Sequence, residues 1–222
     1  MTNFAELAWE RTDHIYNSIL KMQFIQELEN GSLNPEIFKH YIVQDAVYLG
    51  EFARTLSLIS AKAPTAELQL QFACHSQDAL VVERSLHEDF FNEFDISVET
   101  ALKTELSPTC LNYTNFLIAT AHQYNFAIGI AAVLPCFWIY LEVGKHIYQS
   151  SQNQNNPYQK WIDTYVDEYF ETSVYEVIQV ANQVANQVSS DEYELMIRIF
   201  YRACQFEWMF WDSAYRLEQW QI

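Results

Sequence analysis

The stretch IAAVLPCFWIYLEVGK, residues 130–145, decides how the rest of the chain is read. Ile130, Val133, Leu134, Phe137, Trp138, Ile139 and Leu141 cover nearly every side of a helical wheel, so the run is a helix central to a core and not an amphipathic surface helix. Only Glu142, Gly144 and Lys145 mark its approach to water. Pro135 in its interior removes one backbone hydrogen bond and crowds the carbonyl four residues earlier, which predicts a kink. Cys136 follows directly, and Tyr140, four residues on, shares its face. Taken alone, a cysteine so placed reads as a small buried hydrophobe.

The composition agrees with a helical chain. In 222 residues there are Gly 4 and Pro 5, too few breakers for a sheet-rich fold with many tight turns. The formal net charge of -17, with no cluster of Lys or Arg, argues against nucleic acid or an anionic membrane as partner, since both need basic patches. The opening MTNFAELAWERTDHIY lacks the basic and apolar regions of a secretory signal, so the expected location is cytoplasmic. The cysteines at 74, 110, 136 and 204 form no CxxC or zinc spacing and are expected to be reduced thiols.

Outward from the central run the helical period recurs. Thr2 is placed to cap a first helix carrying Phe4, Leu7, Ala8, Ile15 and Ile19. A short second helix holds Phe24, Ile25 and Leu28 and breaks at Asn30-Gly31-Ser32. Asn34-Pro35 reads as a cap followed by a first-turn proline. From there to about Lys62 one apolar face runs through Phe38, Tyr41, Ile42, Asp45, Tyr48, Leu49, Phe52, Leu56 and Ile59. Pro64-Thr65 restarts a helix to about Phe91, in which Glu83 and His87 share a face and His75 stands off it. Residues 92–107 read as a loop with a short helix, and Ser107-Pro108-Thr109 opens the next, with Tyr113, Phe116, Leu117 and Ala121 inward. After the central helix, SSQNQNNP (150–157) reads as a surface connection. An aromatic helix through Tyr158, Trp161, Ile162, Tyr165 and Tyr169 follows, then one between Ser173 and Val188, then a last long helix capped by Ser189-Ser190-Asp191 and running to Tyr215. No strand alternation and no repeat appears, so the expectation is one all-α domain over residues 1–222.

Three polar groups interrupt apolar faces on separate helices: Asp45, Cys136 and Glu207. Burying a carboxylate unpaired is costly, so each acid has either a structural partner, as Tyr48 is for Asp45, or a chemical task. Buried acids beside a thiol and many rings suit hydrolysis of a flat, nitrogen-rich heterocycle. A desolvated carboxyl moves protons, the thiol is a nucleophile and the rings sandwich the substrate. Cys74, Cys110 and Cys204 read as ordinary buried thiols. A helical di-iron oxygenase would use Glu83 and His87, but it needs about six ligands and only these two share a face. Haem degradation would need an axial histidine near the N-terminus, for which His14 is the sole candidate. A regulatory protein, or one that binds such a heterocycle without turnover, would need only Asp45 and the rings.

The motifs VQDAVYL (43–49), SPTCLNYT (107–114), VLPCFWIYLEVG (133–144), YQKWIDTY (158–165) and FEWMFWDSAY (206–215) resemble the TenA family, also called thiaminase II, in that family's order over nearly the whole chain. Cys136 in the LPC position is similar to its cysteine-containing branch. The resemblance implies a heme-oxygenase-like helical bundle, assembled as a homotetramer without metal or organic cofactor, acting on a small pyrimidine. It implies hydrolysis of 4-amino-5-aminomethyl-2-methylpyrimidine to the hydroxymethyl compound, and cleavage of thiamin at the methylene between pyrimidine and thiazole. It further implies Cys136 as nucleophile, Glu207 as acid and base, and Asp45 on the exocyclic amine and ring nitrogen. Tyr48, Tyr140 and Tyr165 would hold the acids and thiol, Tyr113 would line the pocket and Phe210 would stack on the ring.

Overall fold

A computed structural model describes residues 3–94, 96, 97, 99, 101, 103–150 and 155–221; the side chains at 82–89 and 92 are not part of that description. Among the described residues there are nine named helices and no strand: α1 (Phe4–Leu20), α2 (Gln23–Asn30), α3 (Pro35–Ala61), α4 (Ala66–Glu93), α5 (Pro108–Gln123), α6 (Phe126–Ser150), α7 (Gln159–Tyr165), α8 (Glu168–Ala185) and α9 (Ser190–Tyr215). The short helix expected within 92–107 falls partly on residues outside the description.

Most boundaries follow the expected punctuation. Gly31 closes α2 at φ 80, a left-handed conformation that glycine adopts without Cβ strain. Asn34 accepts from the N–H of Glu36, with Pro35 as the first helical residue. Thr65 Oγ1 accepts from the N–H of Leu68 at 3.3 Å at the start of α4. Ser189 and Glu192 form a reciprocal capping box at α9.

Three boundaries differ. Asn3 caps α1, because Glu6 three residues on completes a capping box for it; Thr2 lies outside the described residues. The aromatic helix is two helices: α7 ends at Tyr165, and Asp167 accepts from the N–H of Tyr169 at 2.9 Å to start α8. Tyr169 is therefore an exposed first-turn residue of α8, which begins before Ser173 and stops at Ala185. In the 150–157 connection, residues 151–154 lie outside the description, but Asn156 is buried. Its Nδ2 donates to the carbonyls of Leu28 at 2.8 Å and Glu29 at 3.0 Å, closing the last turn of α2.

The chain forms two compact units, Met1–Ser32 with Tyr124–Trp208, and Leu33–Gln123 with Met209–Ile222. In the first, α6 packs against α7 and α8, and α8 also packs on α1. Pro135 lies inside α6, which is helical on both sides of it. This helix has the length and composition of a membrane span, yet 89% of its most apolar window is buried within the protein. Polar bonds from α1 to α9 run alongside: His14 Nε2 to the Tyr201 hydroxyl at 3.2 Å, and Trp208 Nε1 to Ser18 Oγ at 3.0 Å.

In the second unit α3 packs on α4 and α5. The start of α5 is stitched by buried polar bonds. Gln44 Nε2 donates to the carbonyl of Glu105 at 3.1 Å, and its Oε1 accepts from the N–H of Ser107 at 2.8 Å. Ser107 Oγ in turn accepts from the N–H of Cys110 at 3.2 Å. Leu217, at φ 49, turns the chain after α9. Glu218 then accepts from the N–H of Thr109 at 2.9 Å, and Trp220 Nε1 donates to the Leu106 carbonyl at 2.9 Å. Gln44→Ala leaves a carbonyl and an N–H without these partners, and is expected to cost about 1–3 kcal/mol in chemical denaturation. An unchanged midpoint would contradict this role.

Candidate active site

In the first unit the candidate site residues stand on α6, α7 and α9. Cys136 and Tyr140 lie one turn apart on α6. Cys136 is 9% exposed and Tyr140 is buried. Tyr165, the last residue of α7, places its ring 4.8 Å from that of Tyr140, and Trp161, one turn earlier, lies 4.7 Å from Tyr165 and 6.1 Å from Tyr140. Phe170 closes the group edge-on at 5.4 Å from Tyr165. Trp161 was legible only as a core residue of its helix; the ring cluster it completes depends on how α7 meets α6. Glu207 is 1% exposed on α9.

In the second unit Asp45, at 2% exposure, and Tyr48 stand one turn apart on α3. The Tyr48 ring lies 5.1 Å from Tyr113, 5.4 Å from Phe210 and 5.8 Å from Phe52, the last pair stacked at 17°. Phe210 also meets Tyr41 edge-on at 5.9 Å. So Tyr48, Tyr113 and Phe210 form one ring cluster here, with Asp45 a turn from Tyr48. Gln44, beside Asp45, ties the α5 start to α3 and so helps set Tyr113 against Tyr48; no pattern in the sequence distinguished it.

Each buried acid charges its surroundings. Burial pushes the Cys110 thiol well above its ordinary range, and the nearby Asp45 carboxylate pushes it further. Burial likewise raises the Cys204 thiol, with Glu207 adding to it against a hydrogen bond with Thr12. Both thiols are therefore protonated at neutral pH and poor nucleophiles. Cys74 departs from the expected burial: it is exposed on α4. Tyr16 donates to the Glu142 carbonyl at 3.2 Å, and burial, followed by Glu142 and Asp13, pushes its hydroxyl up to about 12.

Among the described residues no group of three or more His, Cys, Asp or Glu is arranged to hold a metal ion. The side chains of Glu83 and His87 lie outside the description. His14 is bonded to Tyr201 on the exposed surface of the first unit.

Known structures share this architecture. The TenA homologue from Pyrococcus horikoshii OT3 superposes with a TM-score of 0.88 at 28% identity, covering 96% of this chain and 99% of that one. A domain of unknown function with a heme oxygenase-like fold from Shewanella denitrificans superposes at 0.72 with 14% identity, over 94% of this chain and 90% of that one. The chain is thus an all-α protein of heme-oxygenase-like fold. The model of the TENA/THI-4/PQQC family matches residues 9–217. The aminopyrimidine aminohydrolase of Bacillus subtilis is 34% identical over 198 residues, 89% of this chain and 83% of that protein. The thiamine biosynthesis multifunctional protein ThiED of Corynebacterium efficiens is 34% identical over 213 residues, 96% of this chain, and the chain spans 28% of that protein's length. The chain belongs to the TENA/THI-4/PQQC family.

The buried, protonated state of two thiols is open to a chemical check. With iodoacetamide at pH 8, Cys110 and Cys204 are expected to remain unmodified in the native protein and to react after denaturation, as read by peptide mass mapping. Native modification of either would contradict the burial described.

Proposed function

We propose that this chain is a hydrolase of thiamin-derived aminopyrimidines, acting as one domain and converting 4-amino-5-aminomethyl-2-methylpyrimidine to 4-amino-5-hydroxymethyl-2-methylpyrimidine, with thiamin as a second substrate. The carrying observation is the Cys136 thiol one turn from Tyr140 within the Tyr140, Trp161 and Tyr165 ring cluster, in a chain 34% identical to an aminopyrimidine aminohydrolase.

Direct displacement of an amine at the methylene is slow. Cys136 adds through Sγ to an electron-poor ring carbon, the adjacent C=N π bond opens onto the ring nitrogen, which takes the thiol's proton and returns it when the thiol leaves, and the dearomatised, enamine-like ring expels the amine. The carbon–nitrogen bond breaks and ammonia leaves with a proton delivered by Glu207. Water then adds to the exocyclic methylene while Glu207 takes its proton, and loss of Cys136 restores the aromatic ring. Water is the only co-reactant, so the step balances without an oxidant, metal or organic cofactor. Asp45 accepts from the exocyclic amine and engages a ring nitrogen. In this reading Phe210 stacks on the pyrimidine, Tyr113 lines its pocket, and Tyr48, Tyr140 and Tyr165 position the acids and the thiol around it.

The test is product analysis by chromatography with mass detection, offering the aminomethylpyrimidine and thiamin separately. Hydroxymethylpyrimidine from the first substrate is the expected outcome, and Glu207→Gln is expected to lower turnover by roughly 10²–10⁴-fold. No product from either substrate overturns the assignment.

The enzyme works as a homotetramer in the cytoplasm, where its thiols stay reduced. The assembly reading is supported by the outward face of α4. Leu70 is 67% and Val81 59% exposed there, with Ala73, Cys74, Gln77 and Leu80 also exposed. In a chain of net charge -17, these six positions form an exposed stripe without a carboxylate, bordered by exposed Glu67 one turn before Leu70, and a second copy covering it would remove its apolar surface from water. Leu70→Glu with Val81→Glu is expected to shift the wild-type oligomer to smaller species in light scattering. A wild-type monomer, or an unchanged mass in the double variant, would contradict this placement.

A further inference from the structure

Cys136, Tyr140 and Gly144 occupy one i, i+4 row of α6. The first two carry chemistry and rings, and the third has no side chain. A Cβ on Gly144 would stand 2.8 Å from the Cβ of Tyr165, 3.1 Å from its carbonyl oxygen and 3.2 Å from its carbonyl carbon. These are main-chain atoms and a Cβ, not the tip of a flexible side chain, so neither rotation nor repacking relieves the overlap. Any larger residue at 144 must push the end of α7 away from α6. Gly50 is the internal contrast: a Cβ there would meet nothing within 4 Å.

The consequence falls on the candidate site because Tyr165 touches α6 twice. Its backbone lies on Gly144, and its ring lies 4.8 Å from Tyr140, one turn from Cys136. Trp161 and Phe170 hold the other sides of that ring at 4.7 Å and 5.4 Å. The ring is therefore fixed relative to Tyr140 by where the backbone at 165 sits, and the absent side chain at 144 determines that.

We propose that Gly144 is a positioning residue for the reaction: its missing Cβ lets the end of α7 seat against α6 and thereby sets the Tyr165 hydroxyl and ring beside Tyr140 and the Cys136 turn. This role rests on the function proposed above for Cys136 and Tyr165. It differs from a glycine needed only for stability, because its effect on turnover runs through the Tyr165 side chain.

The experiment is a double-mutant cycle in the full chain with Gly144→Ala, Tyr165→Phe and both together, and Gly50→Ala as control. Each is assayed on the aminomethylpyrimidine and labelled with 3-fluorotyrosine for fluorine NMR, the Tyr165 resonance being assigned by its loss in Tyr165→Phe. Gly144→Ala is expected to move the Tyr165 resonance and lower kcat by roughly ten- to a hundred-fold, the scale set by sub-ångström to ångström misplacement of a reacting group. Gly50→Ala should match wild type. In the Tyr165→Phe background the Gly144→Ala penalty should largely vanish. A penalty of the same size with and without the Tyr165 hydroxyl overturns the proposal, as does an unmoved resonance. If Gly144→Ala yields no folded protein, Tyr165→Phe alone decides: because the proposed effect on turnover runs through the Tyr165 side chain, a kcat equal to wild type in Tyr165→Phe overturns the proposal. Absence of turnover in wild type sinks the hydrolase assignment and this role with it, whereas wild-type turnover with an unmoved resonance sinks this role alone.

Discussion

Water has to be kept from nearly the whole circumference of α6, since from Phe126 to Leu141 only Trp138 is more than marginally exposed. Each fully buried side chain of this size contributes about 1.5–3 kcal/mol through the hydrophobic effect, and no polar face exists by which the helix could lie at a surface. The first unit is arranged to satisfy that demand, with α7 and α8 packed on α6. Close packing reaches its limit at Gly144, where two main chains approach nearer than any side chain permits. A thiol is the one reactive group such a helix tolerates, because it can be buried at little cost while neutral. The same burial that makes α6 a core element leaves Cys136 only 9% exposed, the setting in which its proposed role would operate.

The second unit handles burial differently. Gln44 and Asp45 are adjacent polar residues on α3, both nearly inaccessible. Gln44 satisfies the backbone at the start of α5, so the amide is consumed by architecture. Asp45 is the member of the pair whose charge reaches a neighbouring element, where it adds to the raised pKa of Cys110. Gln44 thus ties the first turn of α5 to α3, next to the buried carboxylate for which a binding role is proposed.

Boundaries were legible where a cap and a breaker coincide, as at Asn34-Pro35 and Gly31, because local hydrogen bonding settles them. They were not legible where aromatic periodicity runs through a cap: Asp167 ends one helix and begins another although Tyr165 and Tyr169 keep helical spacing. Cys74 resisted reading because the preference of cysteine for burial says nothing about which face of α4 meets α3. The candidate site positions were picked out through motifs in a shared order, and helical spacing alone places Cys136 with Tyr140 and Asp45 with Tyr48 one turn apart, as their helices have them. The Gln44 bonds to residues 105–107, the place of Trp161 in the ring cluster and the Gly144–Tyr165 contact were not, since each depends on the distance between two helices and not on the period within one.

The role proposed for Cys136 is that of a covalent nucleophile, not of a buried spectator in a binding protein. The most direct measurement is single-turnover ammonia release from saturating 4-amino-5-aminomethyl-2-methylpyrimidine, comparing wild type with Cys136→Ser under conditions where calorimetry shows both to be bound. The account predicts stoichiometric ammonia from wild type and a rate lower by at least about 10³-fold in the variant, as for loss of a nucleophile. Equal release from the two proteins would contradict it, and so would binding by wild type with no ammonia at all.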